Sequence, residues 1–172
     1  MKDLDGFETK RLHAERLQQD HFEFIHRMNR HEKVMTHLGG PRSLKRTSEY
    51  MKRNLAHWQQ YGYGIWILKQ RSTGLLIGRG GLRNEVLAGK NEVEVAYGLM
   101  PEFWNMGLAT EFVEAVVRIG FSEIGLSSLA CTTQQSNKAS QRILEKTDFR
   151  FERNIIHEGK PRMLYRRDIT RT

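Results

Sequence analysis

"NEVEVAYGLMPEFWNMGLATEFVEAVV", residues 91–117, predicts a strand that leads directly into an amphipathic helix. One glycine, Gly107, lies at the junction, after Trp104 and before Thr110. The first turn of a helix offers unpaired backbone N–H groups and the positive end of the helix dipole. Because Gly107 has no Cβ, a phosphate could approach the backbone closely there, and Thr110 could add a hydroxyl donor. The alternative is a plain tight turn at Gly107, with Trp104 as a core anchor.

A second helix start follows another apolar strand, "SSLACTT", at "SNKAS" (residues 136–140). If the two strands are parallel neighbours, both helix N-termini open on the same edge of the sheet, where ligands of open α/β sheets bind. Asn137 offers an amide at this edge. Lys138 and Arg142 are four residues apart on one helix face, and both could reach a phosphate. The two junctions together predict a crevice that binds an anionic ligand.

The remaining segments predict a mixed sheet in the order β-α-α-β-β-β-α-β-α-β-β, with helices on both of its faces. The first strand is predicted over "FETKRLHAERL" (residues 7–17), and Ser43 is predicted to cap the second helix. A turn at "AGKN" (residues 88–91) joins two central strands, and a closing hairpin turns at "EGKP" (residues 158–161). The whole chain, 1–172, is expected to form one α/β domain.

The positive charge is distributed unevenly along the chain. The net charge is +8, and the excess lies in residues 42–53 (five basic, one acidic) and 142–172 (nine basic, five acidic). Such an excess suits an anionic ligand, although a solvated basic surface has the same composition, and it does not require a nucleic-acid partner. The sequence contains no long apolar run and no apolar N-terminal segment, so neither a membrane span nor a signal peptide is expected. One cysteine, Cys131, excludes an internal disulfide, and a cytoplasmic location is predicted.

The ordered set of "VEVAYGLMPEFWNMGLATE", "NKAS" and "KTDF" resembles the GNAT superfamily of acetyl-CoA-dependent N-acetyltransferases. It looks in particular like the RimJ/RimL type, which acetylates protein N-terminal amines, and the resemblance covers nearly the whole chain. It implies the GNAT fold, a mixed sheet of about seven strands in which one parallel pair splays apart. It also implies acetyl-CoA as co-substrate, with no metal. The family's cofactor motif, Gln/Arg-x-x-Gly-x-Gly/Ala, falls on "WNMGLA" (residues 104–109).

The resemblance assigns cofactor contacts to three places. The backbone of residues 104–110 is expected to cradle the pyrophosphate, the strand end at 98–99 to pair with the pantetheine, and Asn137 to hold the pantetheine arm. The expected cofactor-binding residues, with the two cations named above, are Gly98, Leu99, Trp104, Asn105, Met106, Gly107, Leu108, Ala109, Thr110, Asn137, Lys138 and Arg142. One departure is Asp148 in "KTDF", where the family usually has a glycine in a left-handed cap.

Acetyl transfer from a thioester to an amine needs a base for the amine, a donor for the oxyanion and a proton for the departing thiolate. The resemblance selects Glu94 as the base, acting through a water, with Glu85 as a second candidate. Ser140 is expected to be the acid, because it resembles a serine of RimL-like enzymes. The oxyanion donor is expected to be the backbone N–H near Leu99. Glu94 and Ser140 could instead be ordinary half-exposed or solvated side chains.

The predicted acceptor is a protein N-terminal α-amine. A small-molecule amine, such as an antibiotic, a polyamine or an amino acid, is the alternative, although the positive charge of the chain disfavours a polycationic acceptor. Binding of CoA without catalysis, and pairing with a second copy of the chain, also stay open.

Three further groups of side chains invite a functional reading. The aromatic segment "HWQQYGYGIW" (residues 57–66) could be core or could line the acceptor site. Cys131 is predicted to be a core residue. The histidines of the first helical region are spaced five and six apart and cannot share a helix face, so no zinc site is expected; they are His21, His26, His31 and His37.

Overall fold

The computed structural model describes residues 4–169, which form an eight-stranded sheet with helices on both faces. The strands are β1 (Gly6–Glu8), β2 (Leu12–Arg16), β3 (Ile65–Gln70), β4 (Leu76–Leu87), β5 (Lys90–Leu99), β6 (Ser128–Thr133), β7 (Arg150–His157) and β8 (Lys160–Asp168). The helices are α1 (Phe22–Arg30), α2 (Glu32–Met35), α3 (Leu44–Tyr61), α4 (Leu108–Ser122) and α5 (Lys138–Lys146). The strands lie in the order β1-β2-β3-β4-β5-β6-β8-β7.

The predicted parallel strand pair is β5 and β6, connected through α4. The two strands pair at one position, where Glu94 lies opposite Ala130, and they diverge towards their carboxyl ends. Each strand then leads to a helix N-terminus, with Gly107 before α4 and Asn137 before α5. The splay and the shared edge are therefore confirmed, and they place both helix starts beside one crevice.

The first predicted strand is wrong in one respect, because the chain folds back within it. In place of the single strand predicted over residues 7–17, the chain forms two antiparallel strands, β1 and β2. Thr9 makes the turn: its backbone N–H donates to Leu12 O (2.9 Å), and its Oγ1 accepts from Leu12 N–H (3.0 Å). This local hydroxyl turn raises the number of strands from the predicted seven to eight. The short helix α2 was also not predicted.

The hairpin of β4 and β5 fixes which side chains share a face of the sheet. Ala88 and Gly89 form its two-residue turn with φ of +49° and +80°, so Leu87 lies opposite Lys90. The same register places Arg83 opposite Glu94. Successive residues of a strand point to opposite faces, so this face is distinct from the one that α4 covers.

Helices α1 and α3 cover one face of the sheet, and α4 and α5 cover the other. The guanidinium of Arg79 lies against the ring of Tyr50 in α3, whereas a Cβ on the next residue, Gly80, would meet Phe112 in α4. Ser43 caps α3 as predicted, accepting a hydrogen bond from Arg46 N–H at 3.2 Å.

The tryptophans of the aromatic segment belong to the core. Trp58 and Trp66 are buried and pack edge to face, with ring centroids 5.3 Å apart. Their indole N–H groups donate to Ile65 O and Leu4 O, both at 2.8 Å. These two rings are therefore part of the core, as one of the two interpretations of this segment predicted.

The end of α5 carries a left-handed residue where the sequence predicts it. Asp148 has φ +59°, and its N–H donates to Glu145 O. Phe149 N–H donates to Leu144 O at 2.9 Å and completes the helix end. An aspartate can adopt this conformation, but at a cost in free energy that a glycine does not incur.

We expect Asp148→Gly to stabilise the protein. The left-handed region costs a non-glycine residue on the order of 1 kcal/mol, and the ion pair lost with Arg167 is exposed and 3.7 Å long, so it contributes little. Thermal denaturation should show a rise in Tm of roughly 2–4 °C. Asp148→Ala keeps the strained backbone and loses the same ion pair, so an Ala variant as stable as the Gly variant would contradict the prediction.

Candidate active site

A cavity of about 790 Å³ opens where β5 and β6 diverge. Strands β4 to β6 form its floor, the starts of α4 and α5 lie on one side, and α2, α3 and the loop between them lie on the other. The predicted site residues that line it are Glu94, Gly98, Leu99, Trp104, Asn105, Gly107, Leu108, Ala109, Thr110, Asn137, Ser140 and Arg142. Two predicted cofactor residues, Met106 and Lys138, are not part of this wall.

The N-terminus of α4 presents a run of unpaired backbone donors to the cavity. Gly107 is the residue before the helix and has φ +76°, and Asn105 is also left-handed, with φ +58°. Within the described chain, nothing accepts a hydrogen bond from the backbone N–H groups of residues 107–110. Such a run of donors at the positive end of a helix dipole fits a pyrophosphate. Gly107 has a backbone angle that favours glycine, and an added Cβ would lie 3.4 Å from Arg11 Nη2.

An arginine that the sequence reasoning missed braces this loop from the turn between β1 and β2. Arg11 donates from Nη1 to Met106 O and from Nε to Glu111 Oε2, both at 2.7 Å. Glu111 Oε1 also accepts from the backbone N–H of Arg11 and from Thr9 Oγ1. Burial alone would raise the pKa of Glu111, but the hydrogen bonds from Thr9 and Arg11 lower it below its usual value. The carboxylate therefore stays ionised and holds the loop in place.

Trp104 supports the same loop from the surface. Its ring is 41 % exposed, so it is not the core anchor of the alternative reading. The indole N–H donates to Leu99 O at 2.8 Å, which ties the loop to the end of β5. Met106 is exposed and does not line the cavity, and its backbone carbonyl accepts a hydrogen bond from Arg11.

The start of α5 borders the crevice across from the start of α4. Asn137 caps the helix, since its Oδ1 accepts from Ser140 N–H at 3.1 Å. That bond leaves the amide Nδ2 of Asn137 as the group able to donate to a ligand. Arg142 lines the cavity, whereas the Lys138 ammonium lies 3.4 Å from Gln141 Oε1. Lys146, one turn beyond Arg142, lines the cavity and was not predicted.

Glu94 is a buried carboxylate with a partner on each oxygen. Arg83 Nη2 donates to Oε2 at 2.9 Å, and Thr132 Oγ1 donates to Oε1 at 2.6 Å. Glu85, the second candidate base, lies 3.5 Å from the same guanidinium and also lines the cavity. Burial alone would lower the pKa of Arg83, but Glu94 and Glu85 raise it above its usual value. Glu94 is therefore not the half-exposed side chain of the alternative reading.

Ser140 faces a tyrosine that the sequence reasoning also missed. Tyr97 Oη lies 2.8 Å from Ser140 Oγ, across the gap between β5 and α5. Burial, with Cys131 as a second cause, raises the pKa of Tyr97 well above its usual value. The tyrosine hydroxyl therefore stays protonated and can donate to Ser140, which leaves the Ser140 hydroxyl hydrogen free to point into the cavity.

Residues 4–169 contain no group of three or more His, Cys, Asp or Glu side chains that could hold a metal ion. Over the same residues, no helix is long and apolar enough to cross a membrane. Cys131 is buried and free, and burial, followed by the charge of Glu94, raises the pKa of its thiol.

Comparison with known proteins gives one family for most of the chain. Residues 11–150 match the family described as "Acetyltransferase (GNAT) domain". A relative from Bacillus subtilis, the uncharacterized protein YkkB, is 28 % identical over 134 residues, which are 78 % of this chain and 78 % of the relative.

Solved structures share the fold at low sequence identity. An acetyltransferase from Agrobacterium tumefaciens is 22 % identical with a TM-score of 0.85, over 95 % of this chain and 94 % of that one. RimL, a ribosomal-protein α-N-acetyltransferase in complex with coenzyme A, is 16 % identical with a TM-score of 0.76, over 94 % and 96 %. Spermidine N-acetyltransferase from Vibrio cholerae, with CoA and spermine, is 18 % identical with a TM-score of 0.73, over 92 % and 94 %. The predicted GNAT fold is thereby confirmed.

Proposed function

The chain belongs to the GNAT acetyltransferase family, and from that premise we propose that it binds acetyl-CoA in the crevice between β5 and β6 and acetylates a primary amine. The observation that carries the proposal is the run of unpaired N–H donors at residues 107–110, next to a splayed parallel strand pair. These donors meet the pyrophosphate, and the strand end at Gly98 and Leu99 meets the pantetheine. Asn137 donates its amide hydrogens to the same arm. When bound, acetyl-CoA supplies the acetyl group as an activated thioester.

The reaction forms one bond and breaks one. The amine nitrogen bonds to the acetyl carbon, the carbon–sulfur bond breaks, the nitrogen loses a proton and the sulfur gains one. We assign the first proton to Glu94, through a water, because its carboxylate lines the cavity and forms an ion pair with Arg83. We assign the second to Ser140, which Tyr97 orients through the 2.8 Å contact. The backbone N–H near Leu99 stays the proposed oxyanion donor.

The acceptor we propose is a protein N-terminal α-amine, as in the RimJ/RimL type. The fold shared with RimL supports this assignment, but the fold shared with spermidine N-acetyltransferase supports a small-molecule amine equally well. The charge of the cavity distinguishes a peptide acceptor from a polycationic one. Of the described side chains that line it, eight are Lys or Arg and three are Glu, so a polycation such as spermine is repelled. A cytoplasmic location and a homodimer remain predictions.

The proposed function is tested by following thiol release from acetyl-CoA with a panel of amines. N-terminal peptides should accept acetyl groups faster than spermidine or an aminoglycoside at the same concentration. Release with none of the amines, together with tight CoA binding, would instead support a protein that binds CoA without catalysis. Faster release with the polycations would contradict the choice of acceptor.

CoA binding should depend on salt through α5. Arg142 lines the cavity and Lys138 does not, so we expect Arg142→Met to weaken CoA binding about tenfold at low salt, the value of a hydrogen bond to a charged group. Lys138→Met, which removes the same charge one turn earlier, should change it little. Calorimetric titration between low and high salt should show a shallower slope for Arg142→Met than for the parent. Equal effects of the two substitutions would indicate that Lys138 contacts the phosphate as well, as the sequence predicted.

A further inference from the structure

On the side of the cavity that α3 covers, a buried guanidinium has no hydrogen-bond partner among the residues that the structure describes. Arg79 in β4 is 6 % exposed, and its Nη1 is buried with no partner. No carboxylate or carbonyl of residues 4–169 accepts a hydrogen bond from Arg79 or forms an ion pair with it. The ring face of Tyr50 lies 4.3 Å from the guanidinium carbon. A buried charge in this state is costly unless a ligand pairs with it.

A second arginine lies against the same ring. The guanidinium carbon of Arg42 is 5.2 Å from the centre of the Tyr50 ring and, like Arg79, lines the cavity. Burial, and next the charge of Arg79, lower the pKa of Arg42 to about 10. Two cations are thus held together around one tyrosine, and two glutamates of the cavity wall, Glu85 and Glu94, both pair with Arg83 instead.

This cation pair is separate from the proposed binding site for the cofactor phosphates. Arg79 lies opposite Gly98 in the register of β4 and β5, on the face that α3 covers. The unpaired donors of α4 and the cations of α5 lie on the other face of the sheet. The phosphates of a bound CoA would lie at the helix starts on that other face, so we look to the acceptor for the anion that pairs with Arg79.

Resting on the proposed acetyl transfer, we propose that the acceptor is an acidic peptide, whose carboxylate near the N-terminus binds Arg79 and Arg42. The planar guanidinium matches a carboxylate in two parallel hydrogen bonds. Arg79 and Arg83 are four residues apart on one strand, so their backbones are separated by roughly 13 Å. An amine at Glu94 and a carboxylate at Arg79 are therefore too far apart for one free α-amino acid. A glutamate at the second or third position of an extended peptide spans such a distance.

The test compares acceptors that differ only in charge. Ser-Ala-Glu-Ala-Ala-amide is matched with its Gln counterpart, and 6-aminohexanoate is matched with its amide, so that a peptide source is distinguished from a small amino acid. For the parent we expect kcat/KM at least tenfold higher for the Glu peptide, at low salt. Arg79→Met should bring this ratio close to one, and Arg42→Met should reduce it. Arg118→Met, which removes an exposed charge of α4 outside the cavity, should leave it unchanged.

Folding is checked in the same variants, because Arg79 is buried. Removing an unpaired buried charge should leave the Tm of Arg79→Met unchanged or raise it. Equal rates for acid and amide in the parent, or a ratio that survives Arg79→Met, would overturn the anion site while acetyl transfer stands. A charge preference in the aminohexanoate pair alone would overturn the peptide assignment. If no amine is acetylated, the proposed function fails, and the anion site is then tested by calorimetry of the Glu and Gln peptides with CoA present. Equal binding of the two peptides overturns the anion site. Binding that is specific for the Glu peptide and is lost in Arg79→Met supports it.

Discussion

Gly107→Val is expected to abolish the stabilisation of the protein by acetyl-CoA. The backbone donors of residues 107–110 are unpaired at the proposed pyrophosphate site, and an added Cβ at Gly107 would lie 3.4 Å from Nη2 of Arg11, so a branched side chain would press on the arginine that braces this loop. Valine also resists the left-handed angle of +76° that this turn requires. In the parent, a ligand at one hundred times its Kd adds about 2.7 kcal/mol to the free energy of unfolding. That corresponds to a rise in Tm of roughly 5–10 °C, which the variant should lose.

Gly89→Val is the matched control for this experiment. Gly89 has φ +80° in the turn between β4 and β5, and an added Cβ there meets nothing within 4 Å. Both variants therefore carry the same kind of backbone strain, but only Gly107 lines the cavity. We expect both to lose stability in the absence of ligand and only Gly89→Val to keep the full shift with acetyl-CoA. If Gly107→Val keeps the shift, the pyrophosphate binds elsewhere.

The crevice around Gly107 was predictable because its determinants are local. A strand end, a glycine and a helix start follow one another in the chain, and the unpaired donors of the first helical turn need no further information. The same holds for Ser43 at the start of α3 and for Asp148 at the end of α5, whose observed conformations match the predictions. In each case the neighbours that decide the conformation lie within a few residues.

The ion pair of Arg83 with Glu94 could have been found from the sequence but was not. It depends on the hairpin register, which follows from a two-residue turn at Ala88 and Gly89. The sequence reasoning used the four residues "AGKN" as the turn, which leaves the register undefined. Counting back from Leu87 opposite Lys90 brings Arg83 opposite Glu94.

No comparable sequence pattern indicated that the site includes Arg11, Tyr97 and Lys146. Arg11 contacts the loop before α4 across about a hundred residues of chain, and Tyr97 meets Ser140 across 43. Helical spacing places Arg142 on a stripe with both Lys138 and Lys146. Which of the two lysines joins Arg142 at the cavity is decided by how α5 packs on the sheet, and periodicity within one helix contains no information about that packing.

The role of the basic segments was only partly predictable from the sequence. The excess charge in residues 42–53 and 142–172 suggested an anionic ligand, and Arg42, Arg53 and Arg142 from these segments all line the cavity. The sequence could not indicate that α3, which follows Arg42, and α5, which contains Arg142, cover opposite faces of the sheet. That separation is the reason for expecting one anion on the cofactor and another on the acceptor.

Glu94→Gln is expected to reduce kcat by a factor on the order of 10²–10⁴, the usual contribution of a general base. The amide keeps the shape of the side chain but cannot accept a proton from the amine. Acetyl-CoA affinity should change little, because Glu94 faces the α3 side of the sheet, away from the donors of α4. Glu85→Gln removes the other carboxylate beside Arg83 and should leave most of kcat intact.

Glu94→Gln also leaves Arg83 without its closest counter-charge, so stability must be measured with the rate. Breaking one side of a buried ion pair costs about 3–5 kcal/mol, whereas replacing both sides is often neutral. The double variant Arg83→Met/Glu94→Gln should therefore recover much of the lost Tm. If Glu94 is the base, kcat should stay low in the double variant. Recovery of kcat together with Tm would show that Glu94 acts only by neutralising Arg83.

The pH dependence separates a base from a residue that merely positions the acceptor. α-Amino groups have pKa values of about 7.7–8.0, so most of the acceptor is protonated below pH 7 and a base matters most there. As the pH rises past the pKa of the acceptor, the free amine forms without help. The deficit of Glu94→Gln in kcat/KM should therefore shrink, because the parent profile levels off while the variant continues to rise. Parallel profiles of parent and variant from pH 6 to pH 9 would assign Glu94 a positioning role, since a loss that is independent of pH cannot come from proton removal.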